Sequence, residues 1–218
     1  MKHTKHIINV IMFDLDGTLA NTGRDLADAV NHTRHHFDLP TLPDELVYSN
    51  VGHGVEYLLK HSVPEESSRH FPEVMQVFLD RYQNHLLDHT ALYPNVLETL
   101  DYFRSKKRVV VSNKIHRLTI AILRGLGIAE QFDLVLGGDS VTEKKPDPAL
   151  LHHVLKLFNV APRQAVIVGD GETDMQAGKA AGVLTCGVTY GLGSTEQLIA
   201  AKPDFMIDGI RELLNYFY

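Results

Sequence analysis

Apolar runs that stop abruptly at polar residues constrain this chain most. "INVIMFDLD" ends in Asp14 and Asp16, "RVVVSN" in Ser112 and Asn113, and "AVIVGD" in Asp170. Runs that do not alternate with polar residues are buried on both faces, and such strands belong to a parallel sheet covered by helices. Between the runs the spacing becomes helical. Ile115, Leu118, Ile122 and Leu126 share a face before Gly127, and further helices are expected from about Pro148 to Phe158 and from about Thr173 to Ala181. With "FDLVLGG" and "VLTCGVT" the series reads as repeated βαβ units of an α/β protein.

From Gly17 to about Thr90 no strand is read and the pattern is helical throughout. Leu26, Ala29, Val30 and Phe37 fall on one face, Val55, Leu58 and Leu59 on another, and Phe71, Val74, Phe78 and Tyr82 on a third. Turn signals at "LPTLPDE" and "SVPEESS" separate them. The organisation expected is a core from 1–16 and 91–218, with a helical insert at 17–90 directly after the first strand.

At 218 residues the chain can bury a core without disulfides. A formal charge of -6 supplies no basic field for nucleic acid. The single cysteine, Cys186, lies in an apolar strand context, which suits a small core residue in a reducing compartment. The opening "MKHTKHIINVIMFDLDG" has lysines and a short apolar run but no small-residue cleavage site, so it reads as a first strand and not as a secretory signal. No run approaches the length of a membrane span. A cytoplasmic protein is expected, without membrane or nucleic-acid partners and as a monomer or homodimer.

In parallel α/β sheets ligands sit outside the carboxyl ends of the strands, so the polar residues after each run are candidates for the site. Asp14 and Asp16, two apart on an extended strand end, point to one side and crowd their charges. That spacing suits one carboxylate as nucleophile and the other as acid and base. Asp170 and Asp174, four apart at a helix start, share a face. Carboxylates converging at one edge suit a hard cation such as Mg²⁺, although Asp174 alone is equally an N-terminal helix charge. "VVVSNK" ends in a hydroxyl and an amide before a helix, which fits phosphate oxygens or an ordinary N-cap. In "TEKKPDPALL", Pro146 restricts Lys145, a cation suited to neutralise a phosphoryl group. Lys144 stands beside it.

In this order, "DLDGT", "VVVSN", "KKP" and "GDGETD" resemble the haloacid dehalogenase superfamily, and the likeness spans nearly the whole chain. It implies a Rossmann-like three-layer core with a mostly parallel sheet and a small α-helical cap inserted after the first strand. It also implies that Asp14 attacks phosphorus to give an aspartyl-phosphate and that Asp16 protonates the leaving oxygen and then activates water. Mg²⁺ would bind Asp14, the backbone carbonyl of Asp16, Asp170 and, directly or through water, Asp174. Ser112, the Asn113 backbone and Lys145 would hold phosphoryl oxygens, and Gly17-Thr18 would lead into the cap beside the substrate.

Within that superfamily "FDLDGTLANTGRDL" and "VGHGVEYLL", supported by "SNK" and "VTYGLG", are similar to the phosphoglycolate phosphatase branch. Asn21-Thr22 and Gly171 depart from its usual Asp-Ser and Ser. The resemblance makes Gly52, His53 and Gly54 a loop closing over the substrate, whereas His53 read alone is a solvated turn residue. The activity expected is hydrolysis of a small phosphomonoester, with 2-phosphoglycolate the first guess. The alternatives are a β-phosphoglucomutase-like mutase, which typically carries a histidine where this chain has Leu26 and an arginine where it has Val55, or a pyrophosphatase or nucleotidase. A non-enzymatic phospho-acceptor fits less well, because Asp16 supplies a base to hydrolyse the acyl phosphate.

Overall fold

A computed structural model describes residues 5–64 and 71–218. Six strands form one parallel sheet in the order β5-β4-β1-β6-β7-β8: β1 (Val10–Phe13), β4 (Lys107–Val111), β5 (Leu134–Leu136), β6 (Ala165–Gly169), β7 (Leu184–Val188) and β8 (Phe205–Ile207). The alternation within β1 explains its unbroken apolar run. Ile11 and Phe13 enter one core with Val110, Val166 and Val168, while Val10 and Met12 enter another with Val109, Val111 and Ile167. Each face of the strand meets its own helical layer, so neither can be polar.

The second layer consists of α7 (Ala149–Phe158) and α8 (Glu172–Ala181), which contribute Leu150, Leu151, Val154 and Ala177. On the other side lie α5 (Val96–Tyr102), α6 (His116–Gly125) and α10 (Leu213–Tyr216), which contribute Val96, Leu100, Leu118, Ile122 and Leu213. The helix α9 (Thr195–Ala200) follows β7. Gly127, at φ +73°, ends α6 in the left-handed conformation that suits glycine. Cys186 is fully buried in β7, and burial pushes its thiol pKa up, consistent with a packing role.

From β1 the chain runs outward to β4 and β5 on one side and returns to β6, β7 and β8 on the other. The carboxyl end of β1 is therefore the topological switch point, where α/β sheets hold ligands. Leaving β1, the chain passes through α1 (Gly23–His36), α2 (Asp44–Tyr48), α3 (Val55–Ser62) and α4 (Phe71–Asn84) before returning to the sheet. Leu26, Leu59, Val74, Phe78 and Tyr82 of these helices are buried, as the helical spacing anticipates. The segment nevertheless contains strand: β2 (Ala20–Asn21) pairs antiparallel with β3 (Ala91–Leu92) at its base. Two residues are too few to show a period, so the pairing leaves no pattern in the sequence. Of the turn expected at 62–68, residues 65–68 lie outside the described residues. No helix among the described residues is long and apolar enough to cross a membrane.

Candidate active site

Asp14 and Asp16 are both buried at the end of β1, and each faces its own lysine. Lys145 Nζ lies 3.0 Å from Asp14 Oδ1, while Lys114 Nζ lies 3.1 Å from Asp16 Oδ2. Thr22 Oγ1 donates to Asp16 Oδ1 at 2.6 Å. Asp14 Oδ1, by contrast, accepts no hydrogen bond of good geometry among the described residues, and its close contact is the Lys145 ammonium. Burial raises the Asp14 carboxyl to about 7; Lys145 pulls it down, and Asp174, Asp170 and Asp16 push it further up. A desolvated carboxylate oxygen with one ammonium beside it and no well-formed hydrogen bond has room for a further cation or a proton.

Asp170 and Asp174 complete the acidic centre. Carboxylate oxygens of Asp14, Asp170 and Asp174 all lie within 4.8 Å of one another. Asp170 leaves β6 and is held by its surroundings: Leu192 N and Gly193 N donate to Oδ2 at 2.8 and 2.9 Å, and Thr18 Oγ1 donates to Oδ1 at 3.3 Å. Burial, with Asp174 next, raises its carboxyl to about 6 against the pull of those amides. Asp174, in the first turn of α8, accepts from Gly171 N at 3.3 Å and from Lys145 Nζ at 2.6 Å. With all four carboxylates ionised, the two ammonium groups would leave an excess of two negative charges in a desolvated space. That excess, the Asp14 oxygen and an all-oxygen donor set fit a hard divalent cation. The Asp16 carboxylate stands apart from this triad, engaged by Thr22 and Lys114.

The lysines are charged because of these partners. Burial works against the Lys145 ammonium, but Asp14 and Asp174 outweigh it and hold its pKa above the ordinary lysine value; Asp16 does the same for Lys114. Lys145 also donates to Val111 O at 2.7 Å. Ser112 is buried just beyond β4, its Oγ accepting from Lys114 N at 3.3 Å. Asn113 does more than offer backbone donors. Its amide donates to Gly52 O and Lys145 O at 2.8 Å each, and its carbonyl accepts from Lys145 N at 2.9 Å. It thus ties the loop before α3 to the backbone that carries Lys145.

A pocket opens between these residues and the helical segment, lined by Asp14, Asp16, Ser112, Asn113 and Lys114 below and by Gly52, Gly54, Leu26, Val55, Leu58 and Phe78 above. His53 turns aside, stacking on Tyr57 with centroids 4.3 Å apart and placing Nε2 3.9 Å from Glu172 Oε1. Gly17 and Thr18 serve Asp170 instead of lining the pocket: a Cβ at Gly17 would come within 2.0 Å of Asp170 Oδ2. Lys114, Thr22 and the Leu192-Gly193 amides escape sequence reasoning about roles. Only the placement of "SNK" and "VTYGLG" beside other motifs hints at them.

A parallel α/β sheet with a lysine-compensated acidic centre at its switch point, under a helical insert, defines a class of hydrolase. The chain belongs to the haloacid dehalogenase-like hydrolases, whose family model matches residues 11–188. It is similar to the phosphoglycolate phosphatase of Chromobacterium violaceum, at 36% identity over 97% of this chain and 96% of that protein. The phosphoglycolate phosphatase of Haemophilus influenzae is also 36% identical, over 94% and 96%. The crystal structure of a predicted phosphoglycolate phosphatase from Haemophilus somnus superposes with a TM-score of 0.86 at 31% identity, covering 95% of this chain and 96% of that one. The chain is therefore a phosphoric monoester hydrolase of the phosphoglycolate phosphatase-like branch, as its motif order anticipates for the superfamily and "FDLDGTLANTGRDL" and "VGHGVEYLL" for the branch.

Proposed function

We propose that this enzyme is a Mg²⁺-dependent phosphatase acting on a small phosphorylated metabolite, 2-phosphoglycolate foremost, through an aspartyl-phosphate on Asp14. The observation that carries the reading is the pair of buried aspartates at the end of β1, with separate cations and different partners. Asp14, whose Oδ1 accepts no well-formed hydrogen bond among the described residues, suits the nucleophile. Its carboxylate attacks phosphorus in line, the ester P–O bond breaks, and the departing oxygen takes a proton from Asp16. Asp16 then removes a proton from water, whose oxygen attacks phosphorus and releases phosphate, restoring Asp14.

Asp14, Asp170 and Asp174 are the side chains that would hold Mg²⁺, and the bound ion would supply neutralising charge to the phosphoryl oxygens. Lys145 orients Asp14 and Asp174 and adds a positive charge beside the reacting group. Ser112 and the Asn113 backbone fit the role of donors to phosphoryl oxygens, and the helical segment at 17–90 acts as the cap. Leu26 and Val55, in the positions where the mutases carry histidine and arginine, form apolar pocket wall, which favours hydrolysis over sugar-phosphate mutation. The free, buried Cys186 suits a reducing compartment such as the cytoplasm.

Phosphate release from a panel of small phosphomonoesters, with and without Mg²⁺, tests the reading. Wild-type enzyme turns over 2-phosphoglycolate only with the metal, and Asp14→Asn lowers kcat by at least about 10³-fold while remaining folded. An Asp14→Asn variant with wild-type turnover would remove the nucleophile assignment.

A further inference from the structure

Among the described residues that line the pocket beneath the helical segment, one is a cation, Lys114. Lys145 is committed elsewhere, to Asp14, Asp174 and the Val111 carbonyl. Apart from Lys114 the pocket presents Asp14 and Asp16, the uncharged polar side chains of Asn50, Tyr82, Ser112 and Asn113, and apolar wall such as Leu26, Leu58 and Phe78. An anionic substrate entering this space is repelled by the two carboxylates and gains nothing from the apolar wall. The acidic centre with its lysine provides for one anionic group, the phosphoryl. Among the described residues that line the pocket, Lys114 is the cation that can meet a second anionic group; Lys144 Nζ stands beside Gly54 but is not one of them.

Lys114 is built to do so. Its ammonium is buried, lies 3.1 Å from Asp16 Oδ2 and 2.9 Å from Tyr82 Oη, and sits over the Tyr82 ring at 4.6 Å. An ammonium has three donors, and at most two are engaged here. Tyr82 belongs to α4 of the helical segment and Asp16 to the sheet edge, so Lys114 lies where the two halves of the pocket meet. Lys114 Nζ lies 3.1 Å from Asp16 Oδ2, and Asp14 lines the same pocket, so Lys114 would lie near a phosphoryl group attacked at Asp14.

We propose that Lys114 is a specificity-determining residue that receives the carboxylate of a short phosphorylated hydroxy acid while its phosphoryl group is attacked at Asp14. The inference rests on the phosphatase reading above and names the substrate class for the same site. The nearness of Lys114 to Asp16 requires a very short linker between the two anionic groups. A sugar phosphate would set hydroxyls, without charge, against a buried ammonium and an apolar wall.

The test compares 2-phosphoglycolate with ethyl phosphate, which has the same length but no carboxylate, in the wild type and in Lys114→Met at saturating Mg²⁺. Wild-type kcat/KM favours 2-phosphoglycolate by about 30-fold or more, the scale of one charge-assisted contact. In Lys114→Met that preference collapses towards unity, chiefly through the KM for 2-phosphoglycolate. A lysine that only balances Asp16 would slow both substrates alike, and an unchanged preference ratio in the variant overturns the proposal. The wild type supplies a test that does not depend on the variant folding. Equal kcat/KM for the two substrates overturns the role of Lys114 and leaves the phosphatase reading standing, whereas hydrolysis of no phosphomonoester at all overturns both.

Discussion

Asp170 shows how much of this site is held in place by residues that do not line the pocket. Two amides and a hydroxyl donate to its carboxylate, and Gly17 lies against it with φ +80°. Gly17→Ala would force a side chain into left-handed backbone and drive a Cβ to within 2.0 Å of Asp170 Oδ2. The backbone strain alone costs about 1–3 kcal/mol, and the clash displaces a residue of the acidic triad. A lower urea midpoint together with a several-fold higher half-saturating Mg²⁺ concentration is expected. If metal dependence stayed at the wild-type value, the packing of Gly17 on Asp170 would be irrelevant to the site. Asp14, Asp16 and Asp170 were legible in the sequence because each follows an apolar run that fixes its place at the sheet edge, and Asp174 because it comes four residues after Asp170 at a helix start. Lys114 was not, because its partner Tyr82 is 32 residues away on another element, and nothing in local spacing distinguishes a buried lysine from a solvated one.

At the scale of elements, the strap between α1 and the segment entering β3 sets how the helical insert meets the sheet. Asp25, buried in the first turn of α1, accepts from His89 N at 3.0 Å and from Thr90 N and Thr90 Oγ1 at 2.9 and 2.7 Å. These bonds close the two ends of the insert beside the β2-β3 ribbon. Asp25→Ala leaves two backbone N–H groups without this acceptor, and a loss of about 2–4 kcal/mol is expected in urea unfolding. A loss under about 0.5 kcal/mol would show that water replaces the strap at no cost. The helices of the insert could be read from their apolar spacing, and the strands of the core from their unbroken runs. The strap and ribbon could not, since hydrogen bonds between segments more than 60 residues apart leave no periodic trace. His53 differs from its neighbours: Gly52 and Gly54 line the pocket, while its own ring stacks on Tyr57.

The acidic centre also links the stability of the whole molecule to pH in a direction opposite to that of an ordinary salt-bridged aspartate. Asp14 and Asp170 have carboxyls raised by burial, to about 7 and about 6, from the 3.8 of a free side chain. Between those limits the metal-free folded protein holds protons that the unfolded chain has released. This contribution is complete below about pH 4 and is lost as pH rises through the folded values. Asp14→Asn cannot titrate at this position, so the metal-free variant should gain stability relative to wild type as pH rises from 5 to 8, by up to about 1.4 kcal/mol per unit. Lys145 keeps Asp174 as a partner in the variant, which limits the disturbance to the Asp14 charge. Mg²⁺ should oppose the same trend in the wild type, because a cation among Asp14, Asp170 and Asp174 stabilises the ionised carboxylates that burial disfavours. Urea unfolding of both proteins across this range, with and without Mg²⁺, measures the difference directly. A stability difference that stays flat with pH in the metal-free proteins would mean that Asp14 is ionised throughout, its charge balanced by Lys145 alone.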